Sequence, residues 1–230
     1  MQLLFLLIVS TLSAGFSLSL GQNTAPKTKY YNYFAFGSNM ASATMTALRQ
    51  LDPVASSAAV LPGHRLAFNV PGTPLIEPSW ASVEPVKSQG DVPSEVVHGV
   101  LYKLTQDDFE SVCRTEGVPF GYRLHRCKVI PYNGNNDCAG QEALASTSSK
   151  LVPAFTLRAG RKMWRQSTVD IPPSKAYMNV LLRGAEEYRI DREYVNYLRN
   201  IPVGQTLIGD GIAEEMLKTA EEQQRRRWER

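Results

Sequence analysis

Tyr33-Phe34-Ala35-Phe36-Gly37-Ser38-Asn39-Met40 constrains this chain more than any other stretch. A short apolar run ends in Gly-Ser-Asn and passes directly into Ala41–Leu48, which reads as a helix. A strand that turns through glycine into a helix N-terminus leaves backbone N–H groups without intrahelical partners at the turn. Such groups favour an anion, for example a carboxylate or a phosphate.

The rest of the chain narrows the class. Its 230 residues suffice for one well-buried domain with extensions, and 43% hydrophobic with 20% charged residues is ordinary globular composition. The net charge of +3 is small, and much of the excess is local, in Arg225-Arg226-Arg227. That argues against a nucleic-acid surface. Cys113, Cys127 and Cys138 are odd in number and lack CxxC spacing, which excludes a disulfide framework or a zinc site. A single bridge such as Cys127–Cys138 stays open.

Leu3–Leu12 is a ten-residue, largely apolar run followed by Ser13-Ala14-Gly15. It has signal-peptide length and is too short for a stable bilayer span. A core strand or helix is the competing reading. The polar linker Gln22-Asn23-Thr24-Ala25-Pro26-Lys27 separates the run from the first strand of the domain and favours the leader. Residues 1–22 are therefore expected to be a signal or targeting peptide, leading to the secretory pathway or, as a bipartite leader, to an organelle. Residues 28–205 are expected to form one domain, and 206–230 a charged helical extension. No stable membrane span is expected once the leader is removed.

Within the domain, Tyr30–Phe36, Arg65–Val70, Trp80–Glu84, Val96–Tyr102, Tyr122–Tyr132 and Leu151–Leu157 read as strands. Thr105 begins a well-punctuated helix: Asp107 and Asp108 suit its positive end, and Phe109, Val112 and Cys113 share a face. Gly117 should stop it, with Pro119 behind. Ser174–Tyr188 and Asp191–Arg199 read as late helices. Strands first and helices late predict an α+β fold with a largely antiparallel or barrel-like sheet, and no GxGxxG or P-loop supports a nucleotide fold.

Glu116 is the acid that stands out. It sits at the end of its helix, where the negative pole of the macrodipole and any burial disfavour the charged carboxylate and make it more basic. A proton shuttle needs that property. Sequence physics alone leaves open a solvated glutamate at a frayed helix end.

Taken together, these segments resemble the γ-glutamylcyclotransferase family. The likeness lies in Tyr33–Met40, close to that family's aromatic-rich Y-G-S-N signature, and in Val97–Leu104. It continues through Glu116-Gly117-Val118 with Gly121-Tyr122, Pro173-Ser174 through Tyr177, Gly184-Ala185, and Tyr194–Pro202. The resemblance implies a small mixed β-barrel with flanking helices, acting on a small-molecule γ-glutamyl substrate without cofactor or metal. It implies cyclisation of a γ-glutamyl amino acid or amine to 5-oxoproline, with Glu116 as general acid and base. Tyr33, Phe34, Ala35, Phe36, Gly37 and Ser38 would hold the glutamyl group, and Asn39 either joins them or caps the following helix. Two departures concern substrate: Phe36 stands where the family usually has tyrosine, and Leu157 is the expected occupant of a substrate-contacting tyrosine position. The inserted-looking Asn133–Ser149 segment would reshape the cleft edge.

Two other readings are weighed beside this one. A cysteine-dependent hydrolase would use Cys113, Cys127 or Cys138 with a histidine. A non-catalytic member of the same fold would bind a small ligand without turnover. His64, His98 and His125 show no ligand spacing and read as structural. Arg158, Arg161, Lys162 and Arg165, with Trp164 among them, read as a solvated basic loop.

Overall fold

The computed structural model describes residues 28–73, 76–86, 96–160 and 169–206, with positions 219, 222 and 226 of the C-terminal segment. The leader, most of the 206–230 extension and residues 161–168 lie outside the described residues, so those expectations are not addressed by it.

Across the described residues from 28 to 206 the elements succeed one another as β1 (Tyr30–Ala35), β2 (Ala55–Pro62), β3 (His64–Thr73), β4 (Glu77–Pro85), β5 (Val96–Thr105), α1 (Gln106–Thr115), β6 (Tyr122–Tyr132), α2 (Ala139–Ala145), β7 (Val152–Ala159), α3 (Lys175–Glu187) and α4 (Arg192–Arg199). Five strands close a barrel in the order β1-β5-β2-β6-β7, while β3 and β4 form a separate hairpin. Only the β1–β7 seam is parallel, at Tyr33 opposite Phe155; the other seams are antiparallel. The α+β, mixed-barrel expectation is met.

β2 is not expected as a strand from its sequence. Ala-Ser-Ser-Ala-Ala-Val-Leu-Pro is poor in β-branched and aromatic residues. Pairing with β5 on one side and β6 on the other overrides that weak local preference. Helix α2 is likewise unannounced. Its first N–H groups, on Gly140 and Gln141, donate to the Asp191 carboxylate at 2.8 Å each, a cap supplied from about fifty residues away. The Asn133–Ser149 segment therefore folds against β2 and β6 rather than at a cleft edge.

Helix α1 begins as expected, with the Asp108 N–H donating to Thr105 Oγ1 at 3.2 Å. Its apolar face docks on β1 through Phe109, stacked on Tyr31 at 4.6 Å between ring centres. Such a pair contributes about 0.5–1.5 kcal/mol beyond its buried area. The helix ends in a Schellman motif: Val118 N–H donates to Cys113 O and Gly117 N–H to Arg114 O, with Gly117 at φ +66°. That left-handed glycine fixes where the helix stops, and hence where Glu116 points.

Candidate active site

β1 ends at Ala35 and the chain turns through Gly37 into a single 3-10 turn, Ser38–Met40. A second short helical stretch, Thr44–Leu48, has π geometry and closes with Arg49 N–H donating to Thr44 O. The helix expected over Ala41–Leu48 is thus present from Ser42, with π rather than α geometry over its last five residues, and the separate 3-10 turn precedes it. A three-residue turn has too few aligned peptides for a macrodipole, so the anion argument from a helix N-terminus does not carry over. Asn39 does not cap the turn with its side chain; it reaches across to the end of α1.

Glu116, Asn39 and Arg49 form a closed buried triangle, none of them more than 7% exposed. Asn39 Nδ2 donates to Glu116 Oε1 at 2.9 Å and to the Tyr33 hydroxyl at 2.9 Å. Arg49 Nε donates to Asn39 Oδ1 at 2.9 Å, its Nη2 pairs with Glu116 Oε1, and its Nη1 donates to Thr115 Oγ1. A carboxylate affected only by a helix end and by burial is therefore not the whole electrostatic picture. A guanidinium lies against it, supplying the charge compensation that a buried carboxylate requires.

Beside this triangle opens a cavity lined by Tyr33, Phe36, Gly37, Ser38, Asn39, Ala81, Glu116, Tyr122, Leu157 and Tyr177. Of the residues expected to bind substrate, Tyr33, Phe36, Gly37, Ser38 and Leu157 meet there with Glu116. Phe34 and Ala35 do not; that expectation is corrected. Along β1 the pleat sends Phe34 to the opposite face from Tyr33, into the core, where it is fully buried. Ala35, also buried, turns its carbonyl towards Gly99.

Arg49, Ala81, Tyr122 and Tyr177 are site residues that sequence reasoning missed, and Asn39, open there between the substrate site and a helix cap, lines the cavity. Asn39, Tyr122 and Tyr177 lie inside the segments that carry the family likeness. Arg49 has no motif to mark it, and Ala81 enters only because the hairpin folds over the barrel. Its backbone joins two tyrosines: Tyr122 donates its hydroxyl to Ala81 O at 2.8 Å, and Ala81 N–H donates to the Tyr177 hydroxyl at 3.3 Å. The Ser38 backbone lies near the same hydroxyl and favours its charged form. A phenol that accepts from Ala81 keeps its own proton for a further partner. A Cβ on residue 37 would stand 2.9 Å from this hydroxyl, so glycine is needed for the approach.

Burial is the first cause pushing the Tyr33, Tyr122 and Tyr177 phenols above their ordinary value, and Glu116 adds to it in each case. All three remain protonated at neutral pH, and Glu116 is the carboxyl group among the lining residues. The cysteines do not compete. All three are free, so the Cys127–Cys138 bridge is not formed, and none lines the cavity. Burial raises the Cys113 thiol and pushes Cys127 up to about 12, while hydrogen bonding to Glu142 is the first cause raising Cys138.

The histidines also stand away from the cavity. His98 hydrogen-bonds to Tyr132 and stacks on Tyr194, and burial lowers it to about 4. His64 and His125 face each other Nε2 to Nε2 at 3.0 Å, a meeting of residues 61 apart that spacing does not disclose. Arg158, expected to be solvated, instead pairs with Glu84. Among the described residues no group of three or more His, Cys, Asp or Glu is placed to hold a metal ion, and no helix is long and apolar enough to cross a membrane.

The model of the AIG2-like family matches residues 96–198. The γ-glutamyl cyclotransferase verK of Clonostachys rogersoniana is 32% identical over 158 residues, covering 64% of this chain and 80% of the relative. The γ-glutamyl cyclotransferase gliK of Claviceps purpurea is 28% identical over 170 residues, 74% of this chain and 69% of the relative. A solved γ-glutamyl cyclotransferase structure superposes with a TM-score of 0.58 at 19% identity, covering 83% of this chain and 99% of that one; this likeness speaks for the fold.

Proposed function

The chain belongs to the γ-glutamyl cyclotransferase family, and from that premise we propose that Glu116 is the proton-transferring group of a γ-glutamyl cyclisation. One observation carries the assignment: the Glu116 carboxylate and the Gly37-Ser38 bend line the same cavity. In the reaction the substrate's α-nitrogen attacks its own γ-carbonyl carbon. A ring C–N bond forms, the γ-amide C–N bond breaks, and the products are 5-oxoproline and the free amine. Two protons leave the α-nitrogen and two reach the departing nitrogen, so the amine leaves as an ammonium ion with no net proton change. Glu116 relays them, first as base towards the α-ammonium and then as acid towards the leaving nitrogen. Attack within one molecule gains from proximity, and the cavity needs only to hold the glutamyl chain folded. The Tyr177 hydroxyl proton is a donor at the bend, suited to the α-carboxylate or the developing oxyanion.

Incubation of purified protein with γ-glutamyl-alanine, following 5-oxoproline, tests the activity. Formation of 5-oxoproline by wild type but not by Glu116→Gln is the expected result; full rate in Glu116→Gln overturns the role. Binding of 5-oxoproline without turnover of any γ-glutamyl donor would favour a ligand-binding member of the fold, the reading that Phe36 and Leu157 support by presenting no hydroxyl to the cavity. For residues 1–22 we propose a targeting role, secretory or bipartite, tested by the location of a fluorescent protein fused to residues 1–30.

A further inference from the structure

We infer that Arg49 is a positioning residue for the reaction, holding the Glu116 carboxylate in its working orientation and supplying the positive charge beside it. The inference rests on the assignment of Glu116 as the proton-transferring group.

Arg49 is outside the cavity lining, so it reaches the substrate only through other side chains. Its three nitrogens are committed to three neighbours: Nε to Asn39 Oδ1, Nη1 to Thr115 Oγ1 and Nη2 to Glu116 Oε1. Thr115 in turn donates to Ser111 O at 2.9 Å, so the guanidinium is braced on the last turn of α1 as well as on the β1 turn. A planar fork with each nitrogen engaged is fixed in rotation, which a lysine ammonium could not reproduce. Both Arg49 and Asn39 converge on Oε1. Oε1 is thereby anchored on both sides.

The backbone supports this use. The π geometry of Thr44–Leu48 adds a residue to the turn before Arg49, and Gln50 follows at φ +56°. Wide helical turns recur at functional sites. Here the local irregularity delivers a long cation to a carboxylate 67 positions away.

Several other groups face Glu116. They are the Tyr33 phenol from β1, the Tyr122 phenol from β6, the Tyr177 phenol from α3 and the Cys113 thiol from its own helix. Burial is the first cause holding each of these protonated. Arg49 is thus the cation in the set, and its removal favours the protonated carboxyl.

The experiment compares Arg49→Met, Arg49→Lys and Glu116→Gln with wild type, measuring kcat, KM and the pH dependence of kcat/KM with a γ-glutamyl dipeptide. In Arg49→Met, which removes the cation beside the carboxylate, we expect the acid limb of the profile to move to higher pH. Its kcat should fall on the order of 10- to 100-fold while KM changes less than about twofold. Arg49→Lys keeps the charge, so its acid limb should stay near wild type while kcat still falls about 10-fold for want of the fork. Wild-type kcat in Arg49→Lys, or an unmoved acid limb in Arg49→Met, overturns the inference. If Arg49→Met does not fold, the kcat of Arg49→Lys decides. Full activity in Glu116→Gln would instead sink the assignment on which the inference stands, so the two failures are distinguishable.

Discussion

The molecule builds an Arg–Glu–Asn cluster twice, once at the cavity and once between the hairpin and the barrel. At the cavity Arg49 and Asn39 hold Glu116, and Arg49 Nε also bonds Asn39 Oδ1, so the triangle closes. At the seam Arg158 of β7 and Asn69 of β3 hold Glu84 of β4, with Arg158 Nε at 3.0 Å and Asn69 Nδ2 at 3.1 Å from its oxygens. There the triangle stays open, and buried Asn69 Oδ1 has no hydrogen-bond partner among the described residues. Both carboxylates are buried and both are paired. What separates them is that one lines an open cavity while the other ties two sheets together. Burial and pairing therefore do not identify a functional acid; the adjoining cavity does.

The largest expected contrast comes from the same change at both acids. Glu116→Gln should lower kcat by roughly 10²–10⁴-fold, the usual contribution of a general acid–base group. Glu84→Gln should leave kcat within about threefold but lose roughly 2–4 kcal/mol of stability, because Arg158 keeps its charge without a counter-ion. The lower end of that range applies because the Arg158 side chain retains 17% exposure. Steady-state kinetics and denaturant titration of the two variants separate these outcomes. A dead Glu84→Gln that folds normally would break the comparison.

The two asparagines should part in the same way, more gently. Asn39→Leu removes a donor to Glu116 and the acceptor for Arg49 Nε, and a loss of about 10- to 100-fold in kcat is expected. Asn69→Leu removes one hydrogen bond to Glu84 together with an unpaired buried oxygen. These effects oppose each other, so its stability should lie within about 1 kcal/mol of wild type. Equal kcat in both variants would mean that the closed triangle has no role in turnover.

Acid sharpens the contrast at the seam. Burial, then His64, then Arg158 depress His125 below the ordinary histidine value, and burial lowers His98 to about 4. Folded forms with depressed histidines bind fewer protons than the unfolded chain. Stability is therefore fully present above the unfolded value near 6.5 and is lost as pH falls from there through the folded values. For His98, between about 6.5 and about 4, the loss amounts to about 3 kcal/mol. Melting temperatures from pH 8 to pH 4 should decline on the acid side, and the decline should be shallower in His125→Gln. An unchanged slope in that variant would detach the histidine pair from the stability of the seam.

The sequence discloses the two clusters unevenly, for a physical reason. Glu116 is legible because local signals surround it: Thr105 as cap, paired aspartates in the first turn, and glycine at the stop. The Gly37-Ser38 bend is legible through its strand–turn pattern. Arg49 and Glu84 carry no local signature. Their roles arise from contacts across 67 and 74 positions, which only the closed barrel and its hairpin create. The same applies to β2, held as a strand by its neighbours, and to α2, capped by the distant Asp191. Short-range chemistry is readable, and long-range compensation of buried charge is not. The expectation for Glu116 lacks its cation for that reason.

The smallest expected effect tests the cavity's other wall. Phe36 lines the space as an apolar wall and is 4% exposed, and Phe36→Tyr adds one oxygen without changing the shape of the ring. If the hydroxyl finds a substrate oxygen or a water, it contributes about 0.5–1.5 kcal/mol to binding, a few-fold fall in KM. If it stays unpaired, desolvation costs about as much in the other direction. In both cases kcat and the acid limb of the pH profile should remain those of wild type, because Phe36 takes no part in the hydrogen bonds that hold Oε1 and Arg49. Steady-state kinetics across pH with two γ-glutamyl substrates of different leaving amines resolves KM from kcat. A shift in the acid limb would show that this wall participates in proton transfer, and the division between a polar relay and an apolar seat would have to be redrawn.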